Sequence, residues 1–207
     1  MILLYDEAYS PYCGKVRKLL EYKGVRYRTI PVPYHDKVRL LKETGQDYVP
    51  FIRDGRTGVP WTEAVDYLER KRPEPSAYPN GTREVCKILE AWEYDWFEDR
   101  LWGLVAPYLE RTFRDPVERW NFTEQWERAY GPFEEIRRNP SAAWRAVDPS
   151  LRMLESCLRD RDFFVTDAPS AFDFAIYGNV HAMTLAGLAM PPRYPKLRRW
   201  VRRVRDL

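Results

Sequence analysis

Ser10 and Cys13 sit two residues apart in the stretch AYSPYCGKVRKLLEYKG at residues 8–24. This is the spacing of a thiol redox pair with a hydroxyl where the first sulfur would be. A serine hydroxyl cannot exchange disulfides, but it donates one hydrogen bond. Ser10 reads as the N-cap of a helix, with Pro11 at the first helical position, where its missing N–H costs nothing. A helix start presents unpaired N–H groups and the positive end of its dipole. A thiolate carried in by a ligand would be stabilised there. A free thiol of pKa about 8.5 is only slightly ionised at neutral pH, and lowering it by two units takes about 2.7 kcal/mol. One charge-assisted hydrogen bond and the helix dipole together approach that figure. Tyr9 and Tyr12 flank Ser10 as auxiliary donors, whereas Tyr5 closes the preceding strand. Two plainer readings stand beside this one. Ser10 is only a cap, and Cys13 is a small core residue facing the sheet. Alternatively, Cys13 is itself a thiolate, lowered by the dipole and by Lys15.

The elements that would hold these residues alternate at first. MILLY at 1–5 reads as a buried strand, and the helix after Ser10 stops at Gly24. VRYRTIPV alternates as a strand, DKVRLLKETG is a short helix ended by Gly45, VPFIRDG is a strand entering a turn, and TEAVDYLERKRP is a helix halted by Pro73. The order β-α-β-α-β-(β)-α is that of a small sheet with helices on its faces. The proline-rich RPEPSAYPNG carries a linker signal, which sets units at residues 1–75 and 82–207 joined by a linker at 76–81. From residue 82 the spacing is helical nearly throughout. TREVCKILEAWEYDWFEDRLWGLVAPYLE reads as one long helix with a kink near Gly103 and Pro107. Further helices follow, one of them apolar enough to be buried.

Composition narrows the classes. The apolar fraction of 44% in 207 residues suits a globular chain. No apolar run is long enough for a membrane span. The opening MILLYDEAY lacks the basic start and apolar middle of a secretory signal, and a cytoplasmic address is the expectation. The three cysteines are widely spaced, which suggests neither a disulfide framework nor a metal site. The net charge is +3, and the arginines of RYPKLRRWVRRVRDL surround an apolar face made by Leu197, Trp200, Val201 and Val204. That pattern is a solvated helix rather than a nucleic-acid footprint.

SPYCGKVRKLLEYKG, the VPF at residues 49–51 and the DYLE at 66–69 together resemble the thioredoxin-like N-domain of the soluble glutathione S-transferases. APSAFDFAIYG at 168–178 resembles the capping box of that family's buried helix, with Ser170 capping and Asp173 returning the bond. YPKLRRWVRRV resembles its closing helix. The resemblance implies an α/β thioredoxin-like N-terminal domain followed by an all-α C-terminal bundle. It implies that Ser10 holds the glutathione thiolate, and that Val49, ahead of a cis Pro50, pairs with the cysteinyl backbone like an added strand. It also implies a homodimer and a small hydrophobic electrophile as second substrate.

One departure bears on the ligand. The family pattern has an acidic residue and a serine ahead of the YLE helix, for the γ-glutamyl end. Here those positions are Pro60 and Trp61, which offer no carboxylate and no hydroxyl. Thr62 and Glu63 stand close enough to substitute if the loop shifts, and otherwise the thiol is weakened or is a different one. Across the cleft, Trp92, Tyr94, Trp96 and Trp102 are candidates to line a flat aromatic pocket, against the alternative that they are bundle core. Three functions follow. The leading one is thiol activation at Ser10 for attack on an electrophile. The second is a reductase or dehalogenase that uses Cys13. The third is a non-catalytic homologue whose cleft binds an apolar ligand or partner.

Overall fold

A computed structural model describes residues 1–207. A four-stranded sheet is ordered β2-β1-β3-β4, from β1 (Ile2–Asp6), β2 (Tyr27–Pro31), β3 (Phe51–Asp54) and β4 (Thr57–Pro60). β1 and β2 run parallel, and β3 and β4 join antiparallel. The parallel pair needs a crossover, and α1 (Pro11–Tyr22) supplies it. The short α2 (Val38–Thr44) ends at Gly45, whose φ of 80° is the left-handed cap that glycine permits without a Cβ penalty. A 3₁₀ turn at Trp61–Glu63 leads into α3 (Ala64–Lys71).

The rest is helical: α4 (Arg83–Trp92), α5 (Asp99–Leu109), α6 (Pro116–Tyr130), α7 (Phe133–Arg138), α8 (Ser141–Cys157), α9 (Ala171–Leu185) and α10 (Pro195–Arg205). The architecture is the thioredoxin-like sheet domain followed by the helical bundle. The apolar face read in the last helix is real, since Leu197, Trp200 and Val204 are fully buried. No helix is long and apolar enough to cross a membrane.

The long helix differs from its sequence reading. Helical backbone continues through Gly103 and Pro107, inside α5. The irregularity lies earlier, where Glu93–Glu98 forms a π-helical segment between α4 and α5. A π turn bonds i to i+5 and holds one residue more than an α turn. It therefore rotates everything after it relative to the α-helical stripe.

Two contacts fix the start of α1. Helix α9 crosses it backbone to backbone: a Cβ on Gly178 would lie 2.1 Å from the Pro11 carbonyl oxygen, and one on Gly14 would lie 2.9 Å from Gly178 Cα. Helix α9 is in turn held by the capping box at its own start. Ser170 Oγ accepts from Asp173 N, while Asp173 accepts from Ser170 N at 3.0 Å and from the Trp200 indole at 2.9 Å. Asp173 is fully buried, and these donors offset the cost of burying its carboxylate. At the other end of α1, the ammonium of buried Lys23 pairs with Glu69 at 2.5 Å and donates to the Arg72 and Pro75 carbonyls at 2.7 and 2.8 Å. It ties α1 to the segment leading out of the sheet domain.

Candidate functional site

The loop after β1 delivers Ser10 to the start of α1. Its extended backbone (φ −65°, ψ 126°) is that of an N-cap, and its Oγ accepts a long bond, 3.4 Å, from Cys13 N. The Ser10 hydroxyl also lies beside the Cys13 thiol, whose ionised form it stabilises in part, and the residue is only 8% exposed. The carboxylates nearby are occupied. Asp6 pairs with Arg17, and Glu7 pairs with Lys37.

Cys13 occupies the opposite environment. It is completely buried, and its Sγ accepts from Glu7 N at 3.4 Å. Burial first, then the Asp6 carboxylate, pushes its thiol well above the ordinary cysteine value. A thiol held neutral and shielded from solvent is a poor nucleophile, so this placement weighs against the expectation of a catalytic Cys13. Cys86 is buried as well, and Cys157 is exposed on α8.

The two flanking tyrosines diverge. Tyr9 lies in an aromatic cluster with Phe113, Phe122 and Tyr34 at ring separations of 5.0, 6.0 and 6.1 Å, and its hydroxyl is buried without a partner. Tyr12 points to the other side, where its hydroxyl donates to Glu98 Oε1 at 2.9 Å. Neither hydroxyl is hydrogen-bonded to Ser10. Burial raises both phenols above their ordinary value, so both stay protonated.

Val49–Pro50 is cis, and Val49 is half-buried against the small cluster of Tyr5, Leu40 and Phe51. Trp61 does not sink into the interior. It is 37% exposed, and its ring lies 5.1 Å from that of Tyr12. Thr62 and Glu63 are exposed on the 3₁₀ turn and make no side-chain bond within the protein. His35, in the loop after β2, is exposed and does not reach the cleft beside Tyr12.

The four aromatic candidates on the long helix do not converge on one pocket. Trp92 stacks on Phe97 at 6.1 Å, at the edge of the core. Trp96 faces solvent, 51% exposed, under the Arg100 guanidinium at 3.7 Å. Trp102 is buried against Trp126 and Phe122. Only Tyr94 faces the cleft, 6.3 Å from Tyr12. The π segment is the cause. Residues five apart, such as Trp92 and Phe97, come onto one face instead of diverging by about 140° as in an α-helix.

That same turn creates a feature the sequence reading did not find. Glu93 and Glu98, also five apart, meet in the interior. Glu93 is 5% exposed and accepts from the Asn179 amide, while Glu98 accepts from Tyr12. Neither has a cationic partner, since Lys15 pairs with Glu90 at 2.9 Å. Burial, and for Glu93 the neighbouring Glu98, raises both carboxyls well above the usual carboxylate range. The pair borders a cavity of about 280 Å³ walled by Tyr12, Trp61 and Tyr94. An i, i+5 spacing of acids inside an otherwise apolar helix was the available signal. It carries weight only once a π turn is expected.

Two family models match the chain, the glutathione S-transferase N-terminal domain over residues 4–76 and the glutathione S-transferase C-terminal domain over residues 94–203. The chain belongs to the glutathione S-transferase family. Solved structures of similar fold include glutathione transferase GSTFuA3 from Phanerochaete chrysosporium, with a TM-score of 0.84 at 20% identity, covering 99% of this chain and 96% of that one. The glutathione S-transferase CsGST63524 of Ceriporiopsis subvermispora, in complex with glutathione, gives 0.83 at 20% identity, with 99% and 95% covered. Glutaredoxin 2 from Salmonella typhimurium, in complex with glutathione, gives 0.77 at 18% identity, with 100% and 95% covered. Among curated proteins, a glutaredoxin from Pseudomonas aeruginosa is 32% identical over 71 residues, 33% of this chain and 84% of that one.

The start of α1 carries the Ser10 hydroxyl, and a cis X–Pro bond precedes β3. The positions that the resemblance assigns to the γ-glutamyl end hold Pro60 and Trp61. Pro60 closes β4 opposite Phe51, and Trp61 opens the 3₁₀ turn that follows. The polar groups that follow, Thr62 and Glu63, are the nearest hydroxyl and carboxylate on that turn.

Proposed function

We propose that this glutathione S-transferase family member activates a small thiol, glutathione by preference, at Ser10 for attack on a hydrophobic electrophile. The observation that carries the reading is the placement of the Ser10 hydroxyl at the N-terminus of α1, against a Cys13 thiol that is fully buried and raised by that burial. The family and the glutathione-bound structures of similar fold support a glutathione-using enzyme. In this reading the thiol proton leaves to solvent. The thiolate accepts from Ser10 Oγ–H and lies in the positive field of the helix start, and its sulfur forms the new bond to the electrophilic carbon as the leaving group departs. The Val49 backbone binds the cysteinyl part, and Thr62 and Glu63 take over the amino-acid end that Pro60 and Trp61 cannot hold. The protein works as a homodimer in this reading. Exposed Val85 and Ile88 on α4 supply an apolar strip for the partner.

The test is turnover of a chlorinated nitroarene with glutathione. Ser10→Ala lowers kcat/KM by about 10–100-fold, the equivalent of one charge-assisted hydrogen bond of about 1.5–3 kcal/mol. Cys13→Ser changes it by less than about twofold, allowing for a modest loss of packing. The reverse pattern would assign the chemistry to Cys13. Absence of turnover together with absence of glutathione binding would favour the non-catalytic homologue, which the Trp61 ring against Tyr12 independently suggests.

A further inference from the structure

We propose that the cavity between α10 and the segment at 158–167, which follows α8, binds a compact phosphoanion of two or more negative charges, held by the guanidinium groups of Arg159, Arg161 and Arg199. Its lining shares no residue with the cleft beside Tyr12, and the proposal does not depend on the thiol reading.

Three observations lead there. The first is the distribution of charge. Residues 193–207 hold seven cations and one acid, so the remainder of the chain is net negative by three although the whole is +3. A segregated positive patch on an otherwise acidic molecule attracts anions. The second is that helix stability does not account for the patch. Helices α6, α7 and α8 each pair an arginine with an acid one turn away, as Arg128–Glu124, Arg138–Glu134 and Arg152–Asp148. Helix α10 has six cations and no acid, and it sets Arg198 against Arg202 and Arg199 against Arg203 at i, i+4, where like charges destabilise a helix. Cations suit the last turn of a helix, whereas Lys196, Arg198 and Arg199 stand near the positive end of its dipole. The open N–H groups at that end are met by Glu155 of α8, which accepts from Lys196 N at 3.0 Å and Leu197 N at 2.8 Å. The third is shape. Lys196, Arg199 and Arg203 share one side of α10, and with Arg159 and Arg161 they surround a concave cavity of about 450 Å³.

The cations of the cavity are engaged unequally. Arg203 pairs with Asp162 at 2.7 Å, and the Lys196 ammonium donates to the Arg159 carbonyl at 3.1 Å. Arg159, Arg161 and Arg199 have no carboxylate within 4.0 Å, and Arg161 reaches only the Val165 carbonyl, at 3.4 Å. Asp160 and Asp167 also border the cavity, so five cations face three carboxylates. The excess of two positive charges sets the charge of a matching ligand at two or more. A guanidinium fork meets two oxygens of one phosphate, and three such forks around a concave site favour a condensed phosphate over a single carboxylate. Binding is ionic and hydrogen-bonded, with no covalent step.

The test is calorimetric titration of the full chain with sodium tripolyphosphate at neutral pH and low salt. The expected result is saturable binding of about one equivalent, weakening as salt is raised. Arg199→Glu, at an exposed position, lowers the affinity about tenfold or more, with far-UV circular dichroism to verify its fold. Arg202→Glu makes the same charge change on the same helix but outside the cavity, and lowers the affinity by less than about threefold. Vesicles of phosphatidylcholine with phosphatidic acid, added as competitor, separate two sources of the same chemistry. Displacement of tripolyphosphate assigns the phosphate to a lipid headgroup, and retention assigns it to a soluble anion. No saturable heat in the parent protein, affinity unchanged in Arg199→Glu, or an equal loss in the two variants overturns the proposal. Glutathione binding measured on the same samples is unaffected by that outcome, so the two readings fail separately.

Discussion

The Ser10 hydroxyl and the Cys13 thiol are separated by two residues yet live in different media. One turn of helix carries the chain from a cap with a sliver of exposure to the sheet side, where Cys13 has no exposure at all. The types and spacing of these residues were legible in the sequence, and so was the resemblance that ranked Ser10 first. What the sequence left open was the protonation of Cys13, because burial by distant elements decides it. The Glu93–Glu98 pair was not legible, since an α-helical wheel puts the two acids on different faces. Its chemistry predicts a pH effect. Both carboxyls titrate higher in the folded chain than in the unfolded one, so the folded state binds more protons between the two ranges. The contribution of the pair to stability is complete below the unfolded carboxylate range and is lost as pH rises through the raised folded range. Urea unfolding across that window will show Glu98→Gln with a flatter pH dependence than the parent. A variant that tracks the parent at every pH would show that the pair is ionised throughout.

At the scale of elements, strands and helices followed their local signals. Gly24 and Gly45 both take positive φ after α1 and α2, and Pro11 and Pro195 open α1 and α10. The capping box of Ser170 and Asp173 forms as its spacing implied. The exception was the long helix, whose π segment has no proline or glycine to announce it. Its cause lies in tertiary packing, which places Glu93 against Asn179 of α9 and Phe97 in the core. The crossing of α1 and α9 yields a second prediction. Gly178→Ala puts a methyl into the Pro11 carbonyl, which is backbone and has no rotamer to yield. The helices must separate, at a cost of about 1–3 kcal/mol, and Ser10 moves with α1. Thermal unfolding and turnover should therefore fall together in Gly178→Ala, whereas Ser10→Ala lowers turnover with only the loss of a weak cap, about 0.5–1 kcal/mol. Retention of full stability by Gly178→Ala would mean that the helices are not in backbone contact.

The whole molecule is two structural units held in one relative pose. The 39-residue main core runs through both, from Leu4 of β1 to Val204 of α10. Lys23 secures the exit from the sheet domain, with its ammonium on Glu69 and on two backbone carbonyls. Lys23→Met leaves those carbonyls and that carboxylate short of a donor, and it should lower unfolding stability by about 3 kcal/mol in urea titration. An unchanged midpoint would show that Lys23 is a bystander. The alternation of elements up to residue 75 and the all-helical character beyond it were visible from periodicity alone. The pose of one unit on the other was not, because it depends on Gly14 meeting Gly178 across 164 positions of chain.

The account rests on thiol activation at Ser10, and calorimetric titration with glutathione, in buffers of different ionisation enthalpy, tests it most directly. The parent protein should bind the tripeptide and release a substantial fraction of a proton at neutral pH, as its thiol ionises beside the hydroxyl. Ser10→Ala should still bind, more weakly, with that release largely gone. Binding with identical proton release in both proteins, or no binding in either, would contradict the account.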